Sequence, residues 1–244
     1  MNVSQDEPTR PSRTREVSDY LRDYIAAHHL RAGSPLPGEV EISRSLGISR
    51  PSVREASAVL GAIGLISVGN GRRPCVGTLG HGLGGGVLRD VLEAALMTDQ
   101  ADLRQVMEVR RGLEVEMAAL AATRRLPDHL EALHMVVKAM AATLHDRAAY
   151  AEADLRFHIL LGQATGNPLY AVLVADTQQA LLSSLALSLR AKAGRAELVR
   201  VQRLHEAIVQ AVAGQDGAAA RQAMTEHFDD AERALQRLCD QQEE

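Results

Sequence analysis

The sequence predicts a mainly α-helical protein with a small N-terminal head and a larger helical body. The chain of 244 residues has no Trp, two Phe and four Tyr. Its apolar content is therefore aliphatic, which suits helix-on-helix packing better than a β-sandwich core. Six of the ten residues in 77–86 are glycine, and their high backbone entropy predicts a linker. This linker separates a head at 13–76 from a body at 87–240.

The first two helices of the head are predicted from periodicity and from chain breakers. Residues that repeat at helical spacing in the first helix are Val17, Leu21, Tyr24 and His28. Prolines and glycines between 31 and 38 then interrupt it. A short second helix over 39–46 ends at Gly47, because glycine readily adopts the left-handed conformation of a helix C-terminus.

The third helix and a hairpin complete the head. Ser49 is the expected N-cap of this helix, Pro51 fits its first turn and Gly64 closes it. Its expected buried face is Val53, Ala56, Leu60 and Ile63. Two short strands, 65–68 and 74–76, flank a turn that contains Gly69, Asn70 and Gly71. Three helices followed by a two-stranded hairpin predict an N-terminal winged helix-turn-helix.

The body is predicted to be a C-terminal all-α antiparallel bundle of about seven helices, because turn-forming residues separate its helical segments and no strand pattern occurs. These segments are 87–97, 101–124, 128–145, 147–165, 168–192, 196–213 and 216–240.

Charge and cysteine content limit the classes of function. The chain carries a net charge of −4, but residues 1–80 have ten Arg against eight Asp or Glu, which gives +2. This asymmetry favours a head that faces nucleic acid. Cys75 and Cys239 are isolated, and neither a signal peptide nor a membrane span is apparent. We therefore expect a cytoplasmic protein without a membrane partner.

Candidate DNA-binding residues gather at the start of the third helix. Arg50 and Arg54 are four residues apart and project from one face, which Ser57 is expected to extend. Guanidinium groups placed this way can contact guanine edges or phosphates in the major groove. A solvated surface face is the alternative interpretation of these arginines.

Further candidates lie at the helix start and on the hairpin. The hydroxyls of Ser49 and Ser52 can bind phosphates, which a helix N-terminus also favours. The hairpin tip carries Gly71, Arg72 and Arg73 and would meet the adjacent minor groove as a wing.

The head resembles that of the GntR family. The resemblance covers most of residues 13–79 and centres on LPGEVEISRSLGISRPSVREA at 36–56, followed by Leu60, Gly64 and Leu65. It implies double-stranded operator DNA as the partner, with contacts from Arg50, Arg54 and Gly71. The family's further arginine is replaced here by Val40. Arg44 lies nearby and is kept as a candidate DNA contact, although its position is not equivalent.

Three histidines and one aspartate of the body form a candidate metal site. Asp154 and His158 are four residues apart on one helical face, and His205 and His227 each fall within an apolar stripe of a later helix. A single histidine in such a stripe is usually a core residue. Three of them with an inward carboxylate fit a divalent cation, with zinc expected first and nickel, cobalt or manganese also suitable.

This set resembles the metal-binding FCD domain, over about residues 87–238. The matching features are Asp-x-x-x-His, a later His, a further His 22 residues on, and the segments 107–110 with Glu114 and 164–167. The resemblance implies Asp154, His158, His205 and His227 as metal ligands. It also implies Arg110 and Asn167 as contacts for a carboxylate effector. An ion pair between Arg110 and Glu114 is the alternative role for Arg110.

The sequence thus predicts a homodimeric transcriptional regulator, expected to be a repressor of a palindromic operator. A small organic acid at the metal site would modulate DNA binding. Two alternatives remain open. The body could be a metal-dependent hydrolase with an accessory domain, although no inward general base is indicated beside the metal. The metal could also be purely structural.

Overall fold

The structure is a computed structural model that describes residues 12–68, 73–78, 86–185 and 195–240. The chain divides into two compact units between Val87 and Leu88, and these units are the head and the body. Ten helices and one two-stranded sheet occur within the described residues. The mainly α fold with a winged helix-turn-helix and a helical bundle is therefore confirmed.

The head contains three helices and an antiparallel hairpin. Ile66 pairs with Val76, and Ser67 pairs with Cys75. The elements are α1 (Arg13–Ala27), α2 (Glu39–Leu46), α3 (Arg50–Ala62), β1 (Ile66–Ser67) and β2 (Cys75–Val76). Apolar side chains from all three helices, from β1 and from the intervening loops form one core, which consists of Val17, Leu21, Leu36, Ile42, Ile48, Val53, Ala56, Leu60 and Ile66.

The junction between α2 and α3 has the local chemistry expected from the sequence. Gly47 ends α2 with a φ of 65°, in the left-handed region where glycine is unstrained. The hydroxyl of Ser49 accepts a hydrogen bond from the backbone N–H of Ser52 at 3.4 Å and so caps α3. This tight junction fixes how α3 is presented to solvent.

Two expectations for α3 are wrong. Ser57 is buried, with 5% exposure, whereas Ile63 is 40% exposed. Ser57 lies four residues after Val53 and three before Leu60, and both of these are core residues, so it shares their face. Ile63 lies beyond the end of the helix as its C-cap, so helical periodicity no longer determines its direction.

The hairpin is anchored to the loop that precedes α2. The guanidinium Nε of Arg73 donates to the carbonyl of Leu36 at 2.8 Å, and the N–H of Leu36 donates to the carbonyl of Pro74 at 2.8 Å. Gly77, assigned above to the linker, packs against the head, since an added Cβ would lie 1.9 Å from the carbonyl oxygen of Gly64. The predicted linker residues 79–85 and the hairpin residues 69–72 lie outside the described residues.

The body has seven helices within the described residues, close to the predicted segments. They are α4 (Val87–Met97), α5 (Leu103–Arg124), α6 (Pro127–Ala142), α7 (Arg147–Ala164), α8 (Pro168–Leu185), α9 (Arg195–Ala213) and α10 (Gly217–Asp240). The part of the predicted fifth segment from 186 to 192 lies outside the described residues. Helices α5 and α10 run antiparallel, because Arg111 pairs with Glu232 while Glu116 pairs with Arg221.

One close approach between helices governs the position of α8. Gly162 in α7 faces the turn that starts α8, and an added Cβ there would lie 2.8 Å from the backbone N of Ala171. Glycine therefore allows the two backbones to pack together. The body core around this contact includes large side chains such as Met117, Leu133, Met140, Phe157, Leu161, Ile208, Met224 and Phe228.

No helix in the described part of the chain is long and apolar enough to span a membrane.

Candidate nucleic-acid interface and metal centre

The head presents two arginines at the exposed start of α3. Arg50 is the first residue of the helix and is exposed, and the Arg54 side chain is 70% exposed. The Nε and Nη2 atoms of Arg54 contact the carboxylate of Glu39 in the first turn of α2, at 3.3–3.4 Å. This contact with Glu39 fixes one edge of the Arg54 guanidinium. The sequence pattern did not predict it.

Hydroxyl groups and a further arginine surround the same helix N-terminus. The side-chain oxygens of Ser49 and Ser52 are 2.8 Å apart, and Nη1 of Arg13 donates to the Ser52 oxygen at 3.2 Å. Arg13 begins α1, so tertiary packing adds a cation that the sequence pattern of α3 did not reveal. The N–H groups at the helix start, together with these cations, form an electrostatic environment suited to phosphate.

The remaining predicted DNA contacts are one arginine of α2 and two residues of the hairpin. Arg44 is exposed in the last turn of α2. Gly71 and Arg72 lie outside the described residues. Their contribution to DNA binding stays a prediction.

The body brings the three predicted histidines together. One ring nitrogen from each of His158, His205 and His227 lies within 4.8 Å of the others. These residues come from α7, α9 and α10, and their exposures are 0%, 0% and 9%. The ring centroids of His205 and His227 are 4.6 Å apart. Three separate helices thus direct imidazoles into one buried point.

Asp154 joins this cluster from the preceding turn of α7. Its Oδ1 atom lies 3.1 Å from Nε2 of His205 and 3.9 Å from Nε2 of His158. Its Oδ2 atom accepts a hydrogen bond from Nε2 of Gln178 in α8 at 2.7 Å. Gln178 therefore orients the carboxylate so that one oxygen faces the histidines. All four predicted ligands meet in one place.

The facing atoms fit a cation because protein partners do not satisfy them. Nε2 of His158, Nε2 of His205 and Nδ1 of His227 are buried without a hydrogen-bond partner. Nδ1 of His205 lies 3.0 Å from the carbonyl of Val201, which can only accept, so that nitrogen carries the proton. In the neutral imidazole the Nε2 lone pair faces the Asp154 carboxylate, an arrangement that a positive ion between them would stabilise; in the protonated imidazole Nε2–H donates to that carboxylate instead.

The ionisation of the cluster also suits cation binding. Burial raises the pKa of Asp154, but the neighbouring imidazoles of His205, His158 and His227 outweigh this effect and hold that pKa well below its usual range. Burial lowers the pKa of His227, and nearby positive charge lowers it further. The carboxyl is thus ionised and the His227 imidazole neutral near pH 7, which are the forms that bind metals.

Arg110 is buried beside the cluster and is engaged by neighbouring side chains. It forms an ion pair with Glu114 on its own helix at 2.8 Å, as the alternative interpretation anticipated. Its Nη2 atom also donates to Oε1 of Gln178 at 3.4 Å, and its guanidinium lies 5.6 Å from the ring centroid of Phe228. Gln178 thus connects Arg110 to Asp154. The sequence analysis did not single out Gln178, although polar residues within the otherwise apolar helix α8 were a detectable signal.

Asn167 lies at the start of α8 and not among the histidines. Its side-chain oxygen accepts a hydrogen bond from the backbone N–H of Leu169 at 3.1 Å, which caps the helix. Thr165, two residues earlier, already follows the last residue of α7. It is seven residues past His158, or roughly 10 Å along the helix axis. The observed contacts of Asn167 are therefore structural.

The fold and the head's arginine-bearing helix together define a DNA-binding transcriptional regulator with a separate helical domain. Residues 13–76 match the family described as "Bacterial regulatory proteins, gntR family", and residues 105–230 match the family described as "FCD domain". The chain belongs to the GntR family of bacterial transcriptional regulators, in the branch that carries an FCD domain. It is a regulator and not an enzyme, so a metal-dependent hydrolase is not favoured.

Relatives and solved structures agree with this assignment. The chain is 31% identical to the HTH-type transcriptional regulator LutR of Bacillus subtilis over 84% of this chain and 93% of that protein. It is 29% identical to the HTH-type transcriptional repressor NanR of an Enterobacter species, over 90% of this chain and 85% of that protein. The Streptococcus agalactiae GntR structure shares the fold, with a TM-score of 0.62 and 22% identity over 90% of this chain and 99% of that one.

Proposed function

We propose that the protein is a repressor whose affinity for operator DNA is changed by a small organic acid bound at a metal site in the body. The observation that carries this proposal is the convergence of three imidazoles, whose facing nitrogen atoms have no hydrogen-bond partner, beside the carboxylate of Asp154. A DNA-binding head on the same chain gives this site a regulatory output. Because such a protein acts on chromosomal DNA, we also propose that it works in the cytoplasm.

Asp154, His158, His205 and His227 would hold a divalent cation, with zinc as the first candidate and nickel, cobalt or manganese as the others. Such an ion, when bound, supplies open coordination positions for the carboxylate and hydroxyl oxygens of an acid. The polar character of this site favours a small hydrophilic acid, such as a hydroxy acid or a sugar acid, over an acyl chain.

Arg110 would provide a second contact for the carboxylate of the effector. Its bond to Gln178 is long, at 3.4 Å, and joins the guanidinium to a neutral amide. An entering carboxylate can replace that amide without breaking an ion pair and would gain a charge-assisted bond. Asn167 remains a predicted effector contact with no support from its observed position.

Regulation requires that the acid bind two states of the protein with different affinities. Arg110 lies in α5 and Gln178 lies in α8, so exchange of their hydrogen bond would alter the packing of these two helices. In a homodimer, two heads would read the half-sites of a palindromic operator. Arg50, Arg54 and Arg13 would contact the DNA, and Ser49 and Ser52 would bind its phosphates.

Metal content and operator binding test the proposal together. The full-length protein is purified without chelators and compared with His205→Ala and with His134→Ala, an exposed histidine of α6 that serves as the matched control. The operator duplex is obtained by selection from random DNA. We expect about one metal ion per chain in the wild type and in the control, and a loss in His205→Ala. DNA affinity without effector should be equal in all three.

Effector response gives the second readout. Lactate and sugar acids are added to the protein–operator complex, and fluorescence anisotropy follows release. We expect at least one acid to release the wild type and the control but not His205→Ala. A wild type without metal would refute the metal-dependent part. If His205→Ala binds no metal and its body unfolds by circular dichroism, the metal is structural and does not sense an effector.

A further inference from the structure

We propose that Glu114 is a positioning residue of the metal centre, which keeps the proton of His158 on Nδ1 and thereby directs Nε2 toward His205 and His227. This inference rests on the proposed function, because it concerns how one ligand is prepared for the cation. Nothing in the Asp-x-x-x-His pattern indicates it, since Glu114 lies on α5, 40 residues before the first ligand, Asp154.

Both oxygens of the Glu114 carboxylate are engaged inside the bundle. The side chain has 0% exposure. Its Oε1 atom accepts from Nε of Arg110 at 2.8 Å, and its Oε2 atom lies in direct contact with Nδ1 of His158. Complete burial of a carboxylate is costly unless charged or hydrogen-bonding partners compensate for it. Here one of those two partners is a predicted metal ligand.

No described side chain other than Glu114 is placed to fix the His158 ring at Nδ1. Neither ring nitrogen makes a hydrogen bond of regular geometry; Nδ1 is in direct contact with Oε2 of Glu114, whereas Nε2 lies toward the other histidines and 3.9 Å from Oδ1 of Asp154. A carboxylate can only accept, so the proton must reside on Nδ1. The lone pair of Nε2 then faces the cluster, as metal binding requires.

The Nδ1 atom of His205 also carries a proton, but its partner is a backbone carbonyl and not a side chain. Its Nδ1–H donates to the carbonyl of Val201, one turn earlier in its own helix. His158 instead depends on a side chain from another helix. The centre is therefore complete only when α5 packs correctly against α7, and Glu114 connects the effector candidate Arg110 to a metal ligand through one carboxylate.

The test compares Glu114→Gln with Glu116→Gln, which removes an exposed carboxylate from the same helix, where it pairs with Arg221. Zinc affinity of the full-length protein is measured by competition with a chromophoric chelator. We expect zinc binding to weaken by about 10–100-fold in Glu114→Gln and to stay unchanged in the control. The ¹⁵N shifts of His158 in metal-free protein should report the Nδ1–H form in the wild type and a mixture in Glu114→Gln.

A double variant, Arg110→Gln with Glu114→Gln, covers the case in which the single variant fails to fold, because it leaves no unpaired buried charge. It should show the same loss of zinc affinity. Equal zinc affinity in the wild type and in whichever Glu114 variant folds would overturn the inference, as would an Nε2–H form of His158 in the wild type. If the wild type binds no zinc, the proposed metal site fails, and the ¹⁵N shifts still decide the role of Glu114.

Discussion

Gly162→Ala should loosen the junction between α7 and α8 that supports the candidate metal centre. An added Cβ would lie 2.8 Å from the backbone N and 2.9 Å from the Cα of Ala171. Ordinary contact begins near 3.4 Å, so the backbones must separate by about 0.6 Å. Overpacking of this kind costs about 1–3 kcal/mol, while replacing glycine inside a helix contributes about 1 kcal/mol in the opposite direction. The expected net change is a destabilisation of about 0–2 kcal/mol.

Gly112→Ala in α5 is the matched control, because an added Cβ there meets nothing within 4 Å. It should stabilise the body by about 1 kcal/mol through helix propensity alone. The two variants should therefore differ by about 1–3 kcal/mol, and each kcal/mol corresponds to about 2–4 °C in Tm for a chain of this size. Differential scanning calorimetry of metal-free protein measures this difference.

Hydrogen exchange in α7 and α8 locates the effect of Gly162→Ala. Faster exchange is expected there in Gly162→Ala and not in Gly112→Ala, since local opening becomes easier where packing is disturbed. The shift of α8 should also strain the 2.7 Å hydrogen bond from Gln178 to Asp154. If Gly162→Ala raises Tm as much as Gly112→Ala does, the backbones do not pack closely at this glycine and the reasoning is refuted.

Two further predictions concern pH and DNA. Because burial lowers the pKa of His227, the unfolded chain takes up a proton below about pH 6.5 that the folded chain does not. The free energy of unfolding of metal-free protein should therefore fall between about pH 7.5 and pH 5.5, and less so in His227→Gln; equal losses in urea titrations would contradict this. Glu39→Gln should release Arg54 and steepen the salt dependence of non-specific DNA binding by about one unit of slope. Asp23→Asn, which removes the same charge from the exposed surface of α1, should change that slope less, and equal changes would count against a specific role for Glu39.

The helices, the hairpin and the candidate metal ligands could be predicted from the amino-acid sequence, because all of them depend on local spacing. Ser49 and Gly47 mark the boundaries of helices through their own side-chain and backbone chemistry. Asp154 and His158 share a face because they are four residues apart. Histidines within apolar stripes point inward for the same reason. Two resemblances then placed these features in one family, which the comparisons confirmed.

Contacts between side chains from different helices could not be predicted in this way, because they depend on how the helices pack. Periodicity predicts which face of each helix is buried. It does not predict which neighbouring helix that face packs against, or how far the two helices are shifted along their axes. The contact of Glu114 with His158 and the bridge from Gln178 to Asp154 both depend on how α5, α7 and α8 are aligned. That alignment arises from close packing of whole surfaces, including the approach at Gly162.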